Sequence, residues 1–276
     1  MSVHDLNAAF NDSAQANSQM MATFAIPTLD GKFVERYGSQ LVTERRYVPV
    51  PILSGVVSSE AATWIPSQVS VWQDLITFLI ESSAEDSGYS SSVIENLSSY
   101  YPESDVTEPL KPPIGSISDS DTFVRVKTVI GHIEMNAAQR LVCESFSASA
   151  GCFNFIFNAT PAWQRDPRVG VPHGAEIGPL FQNLDGLGFD GNSFLGKDPA
   201  YYEMSKLMGT MWAGFITNLD PNAGLESSGY YWPKYELGNR QAFVFDERNV
   251  GMTVQDNYRE DSIHYISRNL ASVFRK

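Results

Sequence analysis

Glu60 and His173 are the two residues whose types and spacing predict chemistry. Glu60 follows an apolar run that ends near Val57, and His173 lies in the segment Gly170–Phe181, which contains several glycines and prolines. A carboxylate can hold a histidine in one tautomer and stabilise its imidazolium form, which prepares the ring to act as a general base. The acid precedes the histidine by 113 residues (173 − 60), the chain order of Ser…Asp/Glu…His hydrolases after their serine.

The serine nucleophile of such a hydrolase is not found in this sequence. No Gly-x-Ser-x-Gly motif occurs, and the nearest segment, Gly191–Gly196, has the wrong spacing. A glutamate after a strand is usually a solvated loop residue, and a histidine beside glycine and proline usually lies at the surface or packs structurally. The residues alone therefore predict an acid and a base without the group that they would activate.

The composition excludes several classes of protein. The chain has 276 residues, 43% of them hydrophobic, which is typical of a soluble globular protein of one or two domains. A formal charge of −13 argues against nucleic acid and anionic membrane surfaces as partners. No run of about 18 apolar residues predicts a membrane span. The first twenty residues are too polar for the core of a signal peptide, and the localisation stays open.

The cysteines and glycosylation sequons do not decide the cellular compartment. Cys143 and Cys152 could form a disulfide, but their apolar neighbours favour two small buried residues without a bond. Sequons occur at Asn11, Asn96 and Asn158, close to the number that chance would produce in this composition.

Strands and helices alternate along the chain, and this pattern predicts an α/β fold with a mostly parallel sheet and flanking helices. Residues 82–120 contain many Ser, Asp, Pro and Gly residues and are expected to form an irregular excursion with one short amphipathic piece near residues 93–101. Strands are predicted at 48–57, 152–158 and 241–245, and helices at 69–80, 123–146, 202–215 and 263–274. The first strand is apolar on both faces and is expected to be buried. Three or four strands are few for a doubly covered sheet, so the pattern indicates part of a domain.

Both candidate residues are predicted to follow strands of this sheet. Glu60 comes three residues after the first strand, and His173 lies in the loop after the strand at 152–158. The carboxyl ends of parallel strands meet at one edge of a sheet, where α/β proteins place their sites.

Five segments in compatible order resemble the C-terminal half of the type-B carboxylesterase/lipase family, particularly its fungal members, over nearly the whole chain. They are Phe24–Val34 ("P-x-x-D-G"), Pro51–Glu60 ("P-x-x-x-G" and the acidic loop), His173–Ile177 ("H-G-[AS]-E-[IL]"), Phe215–Asn222 and Trp232–Tyr235 ("W-P-x-Y"). The resemblance implies one C-terminal portion of an α/β-hydrolase domain spanning residues 1–276.

The resemblance also implies the chemistry. Glu60 corresponds to the triad acid and His173 to the triad base of an esterase that works through an acyl-enzyme. The serine and the oxyanion hole lie in the family's N-terminal half, so this chain alone is expected to be inactive. With that half present, the substrate would be a small ester or a lipid. Glu176 lies close enough to His173 for a metal pair, but no third ligand is found and the family uses neither metal nor cofactor.

Three residues depart from the family's pattern. Ser59 replaces an Asp or Asn before the acid, and Ala61 replaces the usual glycine after it. Alanine would strain that loop by about 1 kcal/mol if the position required a positive φ. His132 follows Gly131 where the family has aspartate, and the change is expected to disturb a structural hydrogen bond.

Two other functions are compatible with the sequence, besides that of an esterase fragment without its serine. The chain could be a non-catalytic, esterase-like interaction protein. It could also use another nucleophile, such as Ser58, Ser59 or Cys152, although none is predicted to lie on a strand-to-helix elbow. The opening residues, Ser2–Phe10, are typical of the middle of a domain, as expected for a partial gene, a partial gene model or a split enzyme. As an isolated half, the chain is expected to expose apolar surface.

Overall fold

The computed structural model describes residues 2–5, 8, 29–65, 91–102, 110, 122–274 and 276. The helices are α1 (Gly38–Thr43), α2 (Ser91–Tyr100), α3 (Thr122–Gly131), α4 (Ala137–Ser147), α5 (Ile177–Leu180), α6 (Pro199–Asn218) and α7 (Glu260–Arg268). The strands are β1 (Ile52–Val57), β2 (Cys152–Asn158), β3 (Gln241–Asp246) and β4 (Val250–Gln255). A 3₁₀ turn covers Glu60–Thr63, and π-helical turns cover His132–Asn136 and Leu270–Phe274.

The four strands form one mixed sheet in the order β1-β2-β3-β4. β1 pairs parallel with β2, and β2 pairs parallel with β3, which confirms the predicted α/β class. β4 pairs antiparallel with β3 and was not predicted from the sequence. Gly55 lies opposite Phe155, where any added side chain would overlap the Phe155 ring, so the close pairing of β1 with β2 requires glycine here.

The prediction of a buried first strand was wrong in its first half. β1 begins at Ile52, and the side chains of Val48 and Val50 are exposed. Pro49 and Pro51 have no backbone N–H to donate to a neighbouring strand, which explains the late start. Among the described residues, β1 pairs on one side only, so its first four residues are only partly buried.

Helices cover both faces of the sheet. On one face, aromatic residues of β2 and β3 pack against α6; the cluster includes Phe153, Phe155, Phe157, Phe243, Phe245, Met204, Met208, Met211 and Trp232. On the other face, α4 lies over β1 and β2, and Gln139 donates a hydrogen bond to Asn154 Oδ1 over 2.8 Å. A further apolar cluster joins α2, α3 and α7. The predicted flanking helix at 202–215 is confirmed. The helix predicted at 263–274 is α-helical only to Arg268 and continues as the π-helical turn Leu270–Phe274, and the helix predicted at 123–146 is divided into α3 and α4 by the other π-helical turn.

Cys143 and Cys152 form a disulfide between α4 and the start of β2. The preference for two unbonded buried cysteines was therefore wrong. Both residues are buried, as expected, and the bond lies in an apolar cluster with Phe146 and Tyr235.

Two sequence predictions fall wholly or mainly outside the described residues. The helix at 69–80 lies there, as does most of the excursion at 82–120, whose amphipathic piece forms α2. Within the ranges that the structure describes, no helix is both long and apolar enough to cross a bilayer.

Candidate active site

Glu60 is fixed by the turn that follows β1. It begins the 3₁₀ turn, and only 3% of its side chain is exposed. The backbone N–H of Val57 donates to Glu60 Oε1 over 2.9 Å, which orients the carboxylate and leaves Oε2 for a second partner. A nearly buried carboxylate is costly unless it is hydrogen-bonded, and this bond offsets part of the cost.

His173 is the second partner of this carboxylate. Its Nδ1 lies 2.5 Å from Glu60 Oε2, and an ionised carboxylate can only accept, so the ring donates from Nδ1. The loop that carries His173 depends on Gly170, whose φ is +67° and where an added Cβ would lie 2.7 Å from Ser59 Oγ. The backbone N–H of Ser59 donates to the carbonyl of Val171 over 3.1 Å and joins this loop to the acid loop. The structure therefore brings the two predicted residues together.

The surroundings of His173 favour its protonated form. The hydrogen bond to Glu60 raises the pKa of the imidazole above its usual value, although partial burial opposes this change. The side chain is 43% exposed, and among the described residues no group hydrogen-bonds to its Nε2. Trp64 packs against the ring with 5.0 Å between centroids. The arrangement can therefore accept a proton at Nε2 while Glu60 holds Nδ1.

Glu176 lies near this pair without bonding to it. Its Oε2 atom is buried and has no hydrogen-bond partner within the described part of the chain. Burial raises the pKa of the Glu176 carboxyl, and the charge of Glu60 adds to this effect. The described residues contain no cluster of three His, Cys, Asp or Glu side chains arranged for a metal ion.

A polar network lies at the carboxyl ends of the three parallel strands. Ser58 Oγ donates to Asn158 Oδ1 over 2.8 Å, and Asn158 Nδ2 donates to Asp246 Oδ2 over 2.7 Å. Arg248 pairs with the same carboxylate, 2.9 Å away, and this interaction opposes the effect of burial and lowers the Asp246 pKa. Neither this network nor the contact of Trp64 with His173 was predicted from the sequence. The signal for the network was the position of Asn158 and Asp246 at strand ends.

The departures from the family pattern are accommodated locally. Ala61 lies inside the 3₁₀ turn and is not among the residues with positive φ, so the expected strain is absent. His132 is buried and forms a hydrogen bond through Nδ1 with the Tyr101 hydroxyl, 2.7 Å away. Burial lowers the pKa of His132 to about 3, and Arg140 and Arg259 act in the same direction. The ring is therefore neutral near pH 7.

The alternative nucleophiles have other partners. Cys152 belongs to the disulfide, which removes its thiol. Ser58 Oγ donates to Asn158, and Ser59 Oγ accepts a hydrogen bond from Lys127 Nζ over 3.3 Å. The structure thus gives no support to a nucleophile at these three positions.

The sequence model of the carboxylesterase family matches residues 1–266. The chain belongs to the carboxylesterase family. Secreted lipase 1 of Botryotinia fuckeliana is similar to this carboxylesterase-family chain, with 22% identity over 98% of the chain and 44% of its own length. A secreted lipase of Arthroderma benhamiae shares 24% identity over 71% of the chain and 33% of its own length. The predicted membership of the family, with fungal relatives, is confirmed.

Solved esterases share the fold of this family member. Aspergillus niger EstA superimposes with a TM-score of 0.73 at 17% identity, covering 91% of this chain and 46% of EstA. The carboxylesterase EST55 of Geobacillus stearothermophilus superimposes with a TM-score of 0.64 at 19% identity, over 90% and 47% of the two chains. The predicted α/β-hydrolase fold is confirmed. The chain spans less than half the length of these relatives.

Proposed function

We propose that Glu60 and His173 are the acid and base of a serine carboxylesterase triad. The observation that carries this proposal is the 2.5 Å contact between Glu60 Oε2 and His173 Nδ1, made by a buried carboxylate to a half-exposed imidazole. This geometry leaves Nε2 for the proton of a nucleophile.

In the proposed reaction, His173 Nε2 accepts a proton and gives it back in each of two half-reactions. His173 Nε2 takes the proton of the serine hydroxyl while the serine oxygen attacks the ester carbonyl. Nε2 then gives this proton to the leaving alcohol, and an acyl-enzyme forms. The same nitrogen then takes a proton from water, whose oxygen attacks the acyl carbonyl, and it returns this proton to the serine oxygen as the bond from the acyl carbon to that oxygen breaks and the carboxylic acid leaves. Glu60 stays ionised and stabilises the imidazolium that forms in each half of the reaction.

The nucleophile and the oxyanion hole are proposed to come from residues outside this chain. The sequence contains no Gly-x-Ser-x-Gly motif, and the chain covers less than half of its relatives. Exposed apolar residues follow His173 along the chain: Ile177, Phe181, Leu184, Leu187 and Phe189. Such a patch is typical of an interface. Without the serine and the donors that stabilise the oxyanion, the isolated chain is inactive.

The proposed substrates are carboxylic esters, including lipid esters. This class rests on the family match and on the names of the two fungal relatives, both secreted lipases. The alternative, a non-catalytic interaction protein, gives no reason to retain a buried carboxylate bonded to a histidine.

Hydrolysis of a short p-nitrophenyl ester tests the proposal in two stages. The purified chain and its His173→Ala variant should show the same absence of turnover. Addition of a polypeptide that supplies the serine and oxyanion hole of a carboxylesterase N-terminal half should produce turnover with the unmodified chain and not with His173→Ala or Glu60→Gln. Turnover by the chain alone that His173→Ala abolishes would place the nucleophile within this sequence. Restored turnover that is insensitive to both substitutions would contradict the roles of Glu60 and His173.

A further inference from the structure

Lys127 is a buried lysine immediately behind the acid loop. It belongs to α3, and only 2% of the residue is exposed. Taking an ammonium group out of water is costly, and an apolar residue of similar volume would avoid that cost. The contacts of the ammonium group therefore indicate what the buried charge does.

The ammonium group joins the loops of the two candidate residues. Lys127 Nζ donates to the carbonyl of Arg168 over 2.8 Å and to Ser59 Oγ over 3.3 Å. Ser59 directly precedes Glu60, and Arg168 lies five residues before His173 (173 − 168). The two loops follow different strands and share the backbone bond from Ser59 to Val171. Lys127 adds a second link close to this bond.

The loop that carries His173 is folded tightly against this lysine. Gln164 Nε2 donates to the carbonyls of Asp166 and Gly170 over 2.7 and 3.0 Å, which closes the turn between them. The Arg168 guanidinium lies over the ring of Phe123, a second residue of α3, 5.6 Å from its centroid. Helix α3 therefore contacts this loop through two side chains one turn apart.

We propose that Lys127 is a positioning residue that holds the acid loop and the histidine loop at the separation required for the contact between Glu60 and His173. It acts through its hydrogen bonds to Ser59 and to the backbone of Arg168. Its catalytic consequence rests on the proposed function, whereas its effect on the geometry of the pair can be measured without turnover.

The test is a titration of the His173 ring by NMR in the full chain, with the signal assigned from His173→Ala. The charged groups that set the pKa of His173 are Glu60 and Glu176. Lys127→Met keeps the volume and removes the donor, so the two loops separate, the bond to Glu60 weakens and the His173 pKa falls. A purely electrostatic influence of Lys127 would have the opposite sign, because loss of a nearby cation favours the imidazolium.

Lys197→Met is the matched control, since it removes a lysine whose ammonium pairs with Glu247 at 2.6 Å, and it should leave the His173 pKa unchanged. Ser59→Ala removes one acceptor of Lys127 with little change in volume and should lower the pKa less than Lys127→Met does. It provides the test if Lys127→Met does not fold. An unchanged or raised His173 pKa in the variant that folds overturns the inference.

Glu60→Gln distinguishes this inference from the proposed function. Failure of Glu60→Gln to lower the His173 pKa contradicts the pairing on which the proposed function depends. A fall in Glu60→Gln without a fall in Lys127→Met contradicts only the positioning role.

Discussion

Two histidines near the acid loop, His173 and His132, have opposite properties. His173, at the carboxyl end of the sheet, has a half-exposed side chain bonded to a carboxylate, and its pKa is raised. His132, in the π-helical turn after α3, is buried beside the Tyr101 hydroxyl, and its pKa falls to about 3. A small cavity of about 40 Å³ is lined by both Glu60 and His132.

The difference shows that the partner and the solvent, and not the residue type, decide what a histidine can do. A carboxylate stabilises the imidazolium that a general base must form, whereas burial beside a neutral hydroxyl keeps the ring neutral. Only the first arrangement is suited to accept a proton and return it near neutral pH.

The largest effect is expected from breaking the pair at His173. In a complex that contains the proposed serine, His173→Ala should lower kcat for a p-nitrophenyl ester by roughly 10⁶-fold and Glu60→Gln by roughly 10⁴-fold, because the first variant removes the base and the second removes the group that orients it. The control is His264→Ala, which removes a histidine 3.6 Å from Glu144 and should leave kcat unchanged. An unchanged kcat in Glu60→Gln would show that the carboxylate partner, which His173 has and His132 lacks, does not prepare a histidine as a base.

Acid should destabilise the chain through His132. Its folded pKa of about 3 lies below its usual value of 6.5, so its contribution is present above pH 6.5 and is lost as the pH falls toward 3. Between pH 7 and pH 4 this linkage costs about 3 kcal/mol of unfolding free energy. Urea denaturation at several pH values should show a shallower acid dependence in His132→Asn.

His173 has the opposite linkage. Its raised pKa adds stability below pH 6.5 that is lost as the pH rises through the folded pKa.

For His132, an equal acid dependence of stability in His132→Asn and in the unmodified chain would contradict the neutral state of the buried ring.

Removal of the Tyr101 hydroxyl tests how much its hydrogen bond to the buried His132 stabilises the chain. Tyr101→Phe leaves His132 Nδ1 without its 2.7 Å partner and should lower the unfolding free energy by about 2 kcal/mol. The low pKa of His132 should persist, because burial is its largest cause. Tyr231→Phe, which alters an exposed tyrosine, should have no effect in the same denaturation experiment. An unchanged stability in Tyr101→Phe would show that this hydrogen bond contributes nothing.

The smallest effect is expected at Ala61, the residue that directly follows Glu60. Ala61→Gly restores the residue typical of the family but removes a buried methyl group from a 3₁₀ turn without positive φ. The variant should be less stable by about 1–1.5 kcal/mol, from lost burial and added backbone entropy. A stabilised variant in thermal or urea unfolding would mean that alanine strains this loop.

Local pattern was sufficient to predict the elements that carry the site. The alternating residues of Cys152–Asn158, the apolar Gln241–Asp246 and the long amphipathic helices lie where periodicity indicates them. The position of Glu60 and His173 after two strands that proved to be neighbours also followed from the sequence.

Long-range contacts were not predictable in this way. β4 contains Gly251 and alternates weakly, because it is a half-exposed edge strand whose pairing depends on β3. The disulfide and the links from Lys127 depend on distances between distant segments. His132 was expected to disturb a hydrogen bond, since the sequence cannot show that Tyr101 lies opposite it.

The most direct test of the pairing of Glu60 with His173 is an NMR titration of the four histidines in the unmodified chain and in Glu60→Gln. We expect the pKa of His173 to lie above the usual histidine value, Glu60→Gln to lower this pKa, and His132 to stay neutral throughout the mildly acidic range in both proteins. A His173 pKa that is the same in the two proteins would contradict the claim that Glu60 prepares this histidine as a base.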